Sequence, residues 1–90
     1  MDIGKEIRKA IETGNVKLGV DQSRKAIKAG TAKLLVISSN CPDEYLRNQS
    51  QARMLVFDGT NVDLGSACGK PFPVSALAVL DSGDSEILEA

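Results

Sequence analysis

Residues 32–39 read AKLLVISS, and no other stretch limits the fold of this chain so strongly. Its centre, Leu34 to Ile37, is apolar without alternation, so it reads as a strand covered on both faces, where a strand with one wet face would alternate. Such a strand requires helices on each side of its sheet. SALAVL, residues 75–80, repeats the pattern near the far end of the chain.

Between these runs the helix signals fall at regular intervals. Asp2 caps a first helix whose Ile3, Ile7, Ala10 and Ile11 form one apolar stripe, and Gly14 ends it. Val16 to Val20 reads as a short strand. Asp21 then caps a second helix, Gln22 to Ala29, which Gly30 stops. Pro42 suits the first turn of a third helix running to about Ala52, with Asp43 and Glu44 favourable to its dipole. MLVF (54–57) is a strand, and Thr60 with Asp63 forms a capping box for a helix to Cys68, closed by Gly69. GKPFPV, with two prolines, is a loop, and DSGDS leads into a short helix, Ser85 to Leu88.

The alternation of helix and strand implies an α/β sandwich, a four-stranded mixed sheet covered on both sides by helices. Ninety residues, 42% of them hydrophobic, suit a single domain over residues 1–90. No apolar run approaches the roughly 18 residues that span a bilayer, and the charged opening segment reads as a mature helix, so a cytosolic protein is the expectation.

With no histidine in the chain and with Cys41 and Cys68 isolated, zinc sites, Cys–His pairs and Ser–His–Asp sets are not supported. DSGDSE (81–86) lacks the spacing of a calcium loop. No metal, cofactor, small-molecule substrate or catalysis is expected.

Charge is more informative. Residues 1–33 carry eight Lys/Arg against four acids, and residues 34–90 carry three against eight. The basic half holds LGVDQSRKAIKAG, residues 18–30, a glycine turn opening a helix. It is not a phosphate loop, since Arg24 precedes Lys25 and Ala26 follows it. What remains is a helix N-terminus able to bind an anion, with Gln22 and Ser23 as hydrogen-bonding side chains and Arg24, Lys25 and Lys28 behind them. The alternative is a plain capped surface helix. Asn40, at the carboxyl end of a buried strand, is a binding residue or the closure of a turn. Phe72, between prolines and near Lys70, either stacks on an unpaired base or tucks inward.

DLGSACGKPFPVSALAVLDSGDSEIL, residues 63–88, resembles the C-terminal half of the archaeal and eukaryotic large-subunit ribosomal protein L thirty-e family. Asp63, Leu64, Gly65, Ser66, Gly69, Lys70, Leu77, Val79, Asp81 and Gly83 fill its pattern, and AKLLVISSNCP (32–42) is similar to the family's second strand and following turn. The resemblance implies a three-layer α/β/α domain of the kink-turn RNA-binding superfamily, whose glycine-led loop and second helix approach tandem sheared G·A pairs. The matching positions are Gly19, Asp21, Gln22, Ser23 and Lys25, with Asn40 after the second strand. Phe72, Pro73, Val74 and Ser75 match the loop that covers a flipped base.

Two departures stand out. Position 21 in relatives is commonly Asn or basic, whereas here it is Asp. The segment between Asn40 and Asp58 is shorter than usual by roughly one and a half helical turns, and offers Tyr45 and Leu46 where relatives pair tyrosines. The resemblance implies a ribosomal protein of the large subunit, with ribosomal RNA and neighbouring ribosomal proteins as partners and the cytoplasmic ribosome as its place. Two alternatives are a kink-turn-binding protein of a non-ribosomal ribonucleoprotein and an interaction module that has lost RNA binding, the latter motivated by Asp21 and an isoelectric point near 5.3.

Overall fold

A computed structural model describes residues 2–89. Helix α1 (Ile3–Thr13) starts where the Asp2 carboxylate accepts from the Lys5 N–H at 3.2 Å, and it ends at Gly14. Strand β1 (Asn15–Leu18) leads to α2 (Val20–Ala29), which closes on Gly30 in the left-handed conformation. Strand β2 (Leu34–Ile37), α3 (Glu44–Asn48), β3 (Arg53–Val56), α4 (Asn61–Ala67) and β4 (Ala76–Asp81) follow, with a 3₁₀ turn at Ile87–Glu89. The sheet order is β1-β4-β2-β3. β4 runs antiparallel to β1 and β2, and β3 is parallel to β2, so the sheet is mixed.

β2 behaves as its sequence requires. Leu34 and Val36 join Ile7, Ala10, Leu64, Val74, Leu77, Val79 and Ile87 in one core under α1 and α4. Leu35 and Ile37 join Ile27, Cys41, Leu46 and Ala76 in a second core under α2 and α3. Successive side chains of a strand point to opposite faces, so four consecutive apolar residues serve both cores and create the three layers.

Five local expectations are corrected. Gly19, not Asp21, is the N-cap of α2, and β1 stops at Leu18; Asp21 lies exposed inside the first helical turn. Pro42 lies outside α3, because the buried Asp43 side chain accepts from the Leu46 N–H at 3.0 Å as the N-cap and makes Glu44 the first helical residue. α3 also ends at Asn48 rather than near Ala52, since Gln49 turns its side chain back to bond the Ala52 N–H and C=O. The last short helix is only the 3₁₀ turn, starting two residues later and ending one later than its sequence suggests. The Thr60–Asp63 capping box is present as expected.

Candidate functional site

Because β1, β2 and β3 run in one direction and β4 in the other, the carboxyl ends of three strands and the start of the fourth meet at one end of the sheet. Four loops converge there, and backbone hydrogen bonds join them. The Gly19 N–H donates to Ala76 O at 2.8 Å, Ser38 N–H to Ser75 O at 2.9 Å, Ser39 N–H to Gly59 O at 2.9 Å, and Val74 N–H to Asn61 O at 3.0 Å. Residues scattered from 19 to 75 thereby become one surface.

Gly19 enters α2 at φ 98°, ψ 161°, a conformation open essentially to glycine alone. No side chain caps the helix. The first N–H groups of α2 therefore lack both an intrahelical acceptor and a capping side chain, at the positive end of the helix dipole. Asp21, Gln22, Lys25 and Lys28 are exposed around this end. A cleft of about 260 Å³ runs between Asp21, Arg24, Lys25 and Lys28, and Lys25 also borders a second, with Lys17 and Gln22.

The remaining α2 candidates are differently placed. Ser23 is fully buried, and its Oγ has no hydrogen-bond partner among the described residues. Arg24 is engaged in an ion pair with Asp43, whose side chain is only 5% exposed. The Leu46 N–H holds the Asp43 carboxyl below its ordinary range against the cost of burial, and the Arg24 guanidinium reinforces this. The hydrogen bond to Asp43 in turn raises the Arg24 pKa. Arg24 thus ties α2 to the start of α3. Lys28 lies 5.3 Å from the centroid of the Tyr45 ring, a second tie between the same helices.

Asn40 is an organiser of the surface. Its Oδ1 accepts from Ser38 Oγ at 2.9 Å and from the Asn61 N–H at 2.9 Å, and its Nδ2 donates to Asn61 Oδ1 at 3.2 Å. A backbone N–H can only donate, so the atom facing Asn61 N must be the amide oxygen. One N–H of Nδ2 remains free on an exposed residue whose orientation is fixed. Asn61 was not apparent from sequence as a site residue. Its position directly after the Thr60 cap, at the mouth of α4, is the signal that could have found it.

The loop before β4 lies against α4 at Gly65, where an added Cβ would sit 2.1 Å from the Phe72 carbonyl oxygen. Pro73 is exposed, while Val74 is buried in the α1/α4 core and offers only its backbone to the surface. Phe72 is 51% exposed and Val62 59%, and with Lys70, Ser66, Pro71 and Pro73 they line a cleft of about 230 Å³. Phe72 therefore does not tuck inward. A larger cleft of about 380 Å³, at Glu44, Tyr45, Asn48 and Gln49–Gln51, contains none of the candidate residues.

No cluster of three metal-ligating side chains exists among the described residues, and none of their helices is long and apolar enough to cross a membrane. The fold is a small α/β/α domain that brings a helix N-terminus, an oriented amide and a displayed aromatic to one end of its sheet. Its particular kind follows from comparison with known proteins. The profile of the Ribosomal protein L7Ae/L30e/S12e/Gadd45 family matches residues 1–89, and the chain belongs to that family. A protein named Large ribosomal subunit protein eL30 from Methanospirillum hungatei is 47% identical, over 98% of this chain and 96% of the relative. Its namesake from Methanothermobacter thermautotrophicus is 46% identical over 99% and 97%, and that from Methanosarcina mazei 39% over 100% and 89%.

Proposed function

We propose that this chain is a non-catalytic structural protein of the large ribosomal subunit that binds ribosomal RNA at a kink-turn, in the cytoplasmic ribosome and beside neighbouring ribosomal proteins. The observation that carries the reading is the hydrogen-bonded convergence of the Gly19, Asn40 and Phe72 loops at one end of the sheet. Family membership and the shared name of the relatives support it.

In this reading the groups divide by task. Lys25, Lys28 and the free N–H groups of α2 hold phosphates, which fixes position without reading sequence. Asp21, Gln22 and the free Asn40 N–H face base edges. Phe72, held on its loop by Gly65 and two prolines, stacks on an unpaired base, a contact worth about 1–3 kcal/mol. Gly19 and Ser75 contribute through the backbone and Pro73 through its ring, while Ser23, Arg24 and Val74 support the surface from beneath.

Titration of a labelled kink-turn RNA tests this against the same RNA with its G·A pairs replaced. Tighter binding of the intact kink-turn, weakening modestly with salt because few cations are involved, is the expected result. Equal affinity for both RNAs would remove the kink-turn from the reading.

A further inference from the structure

A second cationic surface lies outside the loop end. Lys5, Arg8 and Lys9 are all exposed on α1 at i, i+3 and i+4, opposite the stripe of Ile3, Ile7, Ala10 and Ile11 that faces the core. The acids of the same helix form no ion pair with them among the described residues, although Glu6 attracts Lys9 and Lys5 through space. Asp2 caps the helix, and the buried Glu6 carboxylate accepts from the Glu86 N–H at 2.8 Å and from Ser85 Oγ at 3.2 Å. Glu12 is exposed on the same face, but it makes no ion pair with these cations among the described residues.

Arg8 connects this face to the loop end. Its guanidinium lies across Gly69, where an added Cβ would come within 2.4 Å of Nη2, so glycine leaves room for the side chain to lie flat on the end of α4. Lys70 follows directly, and Phe72 is two residues beyond. Arg8, Lys70 and the Phe72 loop are therefore contiguous.

We propose that this face of α1, carried by Lys5, Arg8 and Lys9 and reaching Lys70 at the edge of the loop-end site, is a second contact surface for RNA phosphates. The proposal rests on the reading of the chain as an RNA-binding protein and adds a surface to it. Cations one helical turn apart suit a closely spaced row of phosphates, and an arginine laid on a backbone surface presents its fork of donors at reduced entropic cost. Through such a contact the protein holds an RNA segment beyond the kinked one.

The test uses the full chain and its Lys5→Gln/Arg8→Gln/Lys9→Gln variant, with fluorescence anisotropy at low salt. The probes are a labelled uniform RNA duplex without a kink-turn and the kink-turn RNA. Wild type is expected to bind the duplex weakly, and the variant to lose at least about fivefold of that affinity, with a log–log salt slope shallower by about 2–3 for three lost phosphate contacts. The ratio of kink-turn to G·A-replaced affinity should stay unchanged. Equal duplex affinity in the two proteins, or no duplex binding by wild type, overturns the proposal. So does a poly-glutamate peptide that binds wild type and not the variant while duplex binding persists. Arg8→Gln alone, if it lowers the melting temperature and leaves duplex binding intact, assigns Arg8 to the end of α4 and also overturns it. If wild type shows no kink-turn preference but the triple variant still loses the duplex, the loop-end reading fails and this one stands.

Discussion

Gly65→Ala is the sharpest perturbation of the candidate site, although Gly65 itself is buried. Its added methyl carbon would lie 2.1 Å from the Phe72 carbonyl oxygen and 3.2 Å from Pro73 Cα, and contacts below 3.0 Å do not occur. Helix α4 is anchored beneath by Leu64 in the core, so the Phe72 loop is the part that moves, by about 1 Å or more. That displacement strains the Val74 N–H bond to Asn61 O. Alanine gains about 1 kcal/mol of helix propensity over glycine, against about 2–3 kcal/mol for an overlap this close, the upper part of the range for overpacking. The net expectation is a loss of about 1–2 kcal/mol, seen as a fall of roughly 5–15 °C in melting temperature. If Phe72 stacks on a base, its displacement also weakens kink-turn RNA binding by roughly 5- to 150-fold. Thermal melting with RNA titration on one preparation reads both effects, and Phe72→Ala serves as the comparison, losing similar affinity with little change in melting. A Gly65→Ala protein that melts and binds like wild type would refute the close packing of the loop on α4 and its role in presenting Phe72.

At Gly19 an added Cβ meets nothing within 4 Å, so Gly19→Ala isolates the backbone cost of φ 98°. A loss of about 1–3 kcal/mol in urea unfolding is expected, with weaker RNA binding as the start of α2 shifts. Adjacent cations should separate cleanly: Lys25→Ala weakens RNA binding and leaves the melting temperature in place. Arg24→Ala lowers the melting temperature more and affects binding less, because it strips the buried Asp43 of its partner. Both Asp43 and Glu6 have carboxyl pKa values below their ordinary range, held down first by backbone N–H donors, Leu46 for Asp43 and Glu86 for Glu6. A depressed folded-state pKa contributes stability that is fully present above the unfolded value, about 4 for these groups, and is lost as pH falls through the lower folded value. Melting temperature should therefore decline as pH drops below about 4–5, and Glu6→Gln should flatten part of that decline.

The layers of the fold were legible because unbroken apolar runs at Leu34–Ile37 and at Ala76–Leu80 leave no solvent face. The ends of α1 and α4 were legible because Asp2 and Thr60 carry the caps themselves. The start of α2 was misread because Asp21 has the chemistry of a cap, whereas the requirement at Gly19 is conformational and leaves no side-chain signature. α3 was misplaced for the opposite reason. Asp43 serves both as its cap and as the partner of Arg24, 19 residues away, and a local pattern cannot register the distant half. Within the site, Gly19, Lys25, Asn40 and Phe72 were identifiable as glycine turn, cation, amide and aromatic. The burial of Ser23 and Val74 was hidden, because helical phase alone does not say which face of a short helix or loop meets a neighbouring strand.

Gly19 also removes one of the two roles available to Asp21. A capping carboxylate would have its acceptor oxygens occupied by backbone N–H groups and unavailable to an approaching RNA. As an exposed side chain in the first turn, Asp21 is an acceptor with no such engagement, favoured there by the helix dipole and by the neighbouring Arg24. Beside a phosphate it would be repulsive. In the proposed complex its partner must therefore be a hydrogen-bond donor, and the donors that RNA bases offer are amino and imino groups on their edges. Lys25 and Lys28, one and two turns further along the same helix, carry the charge that phosphates require. In the proposed complex, the side chains of α2 thus divide by position, Asp21 and Gln22 leading toward base edges and Lys25 and Lys28 following toward phosphates.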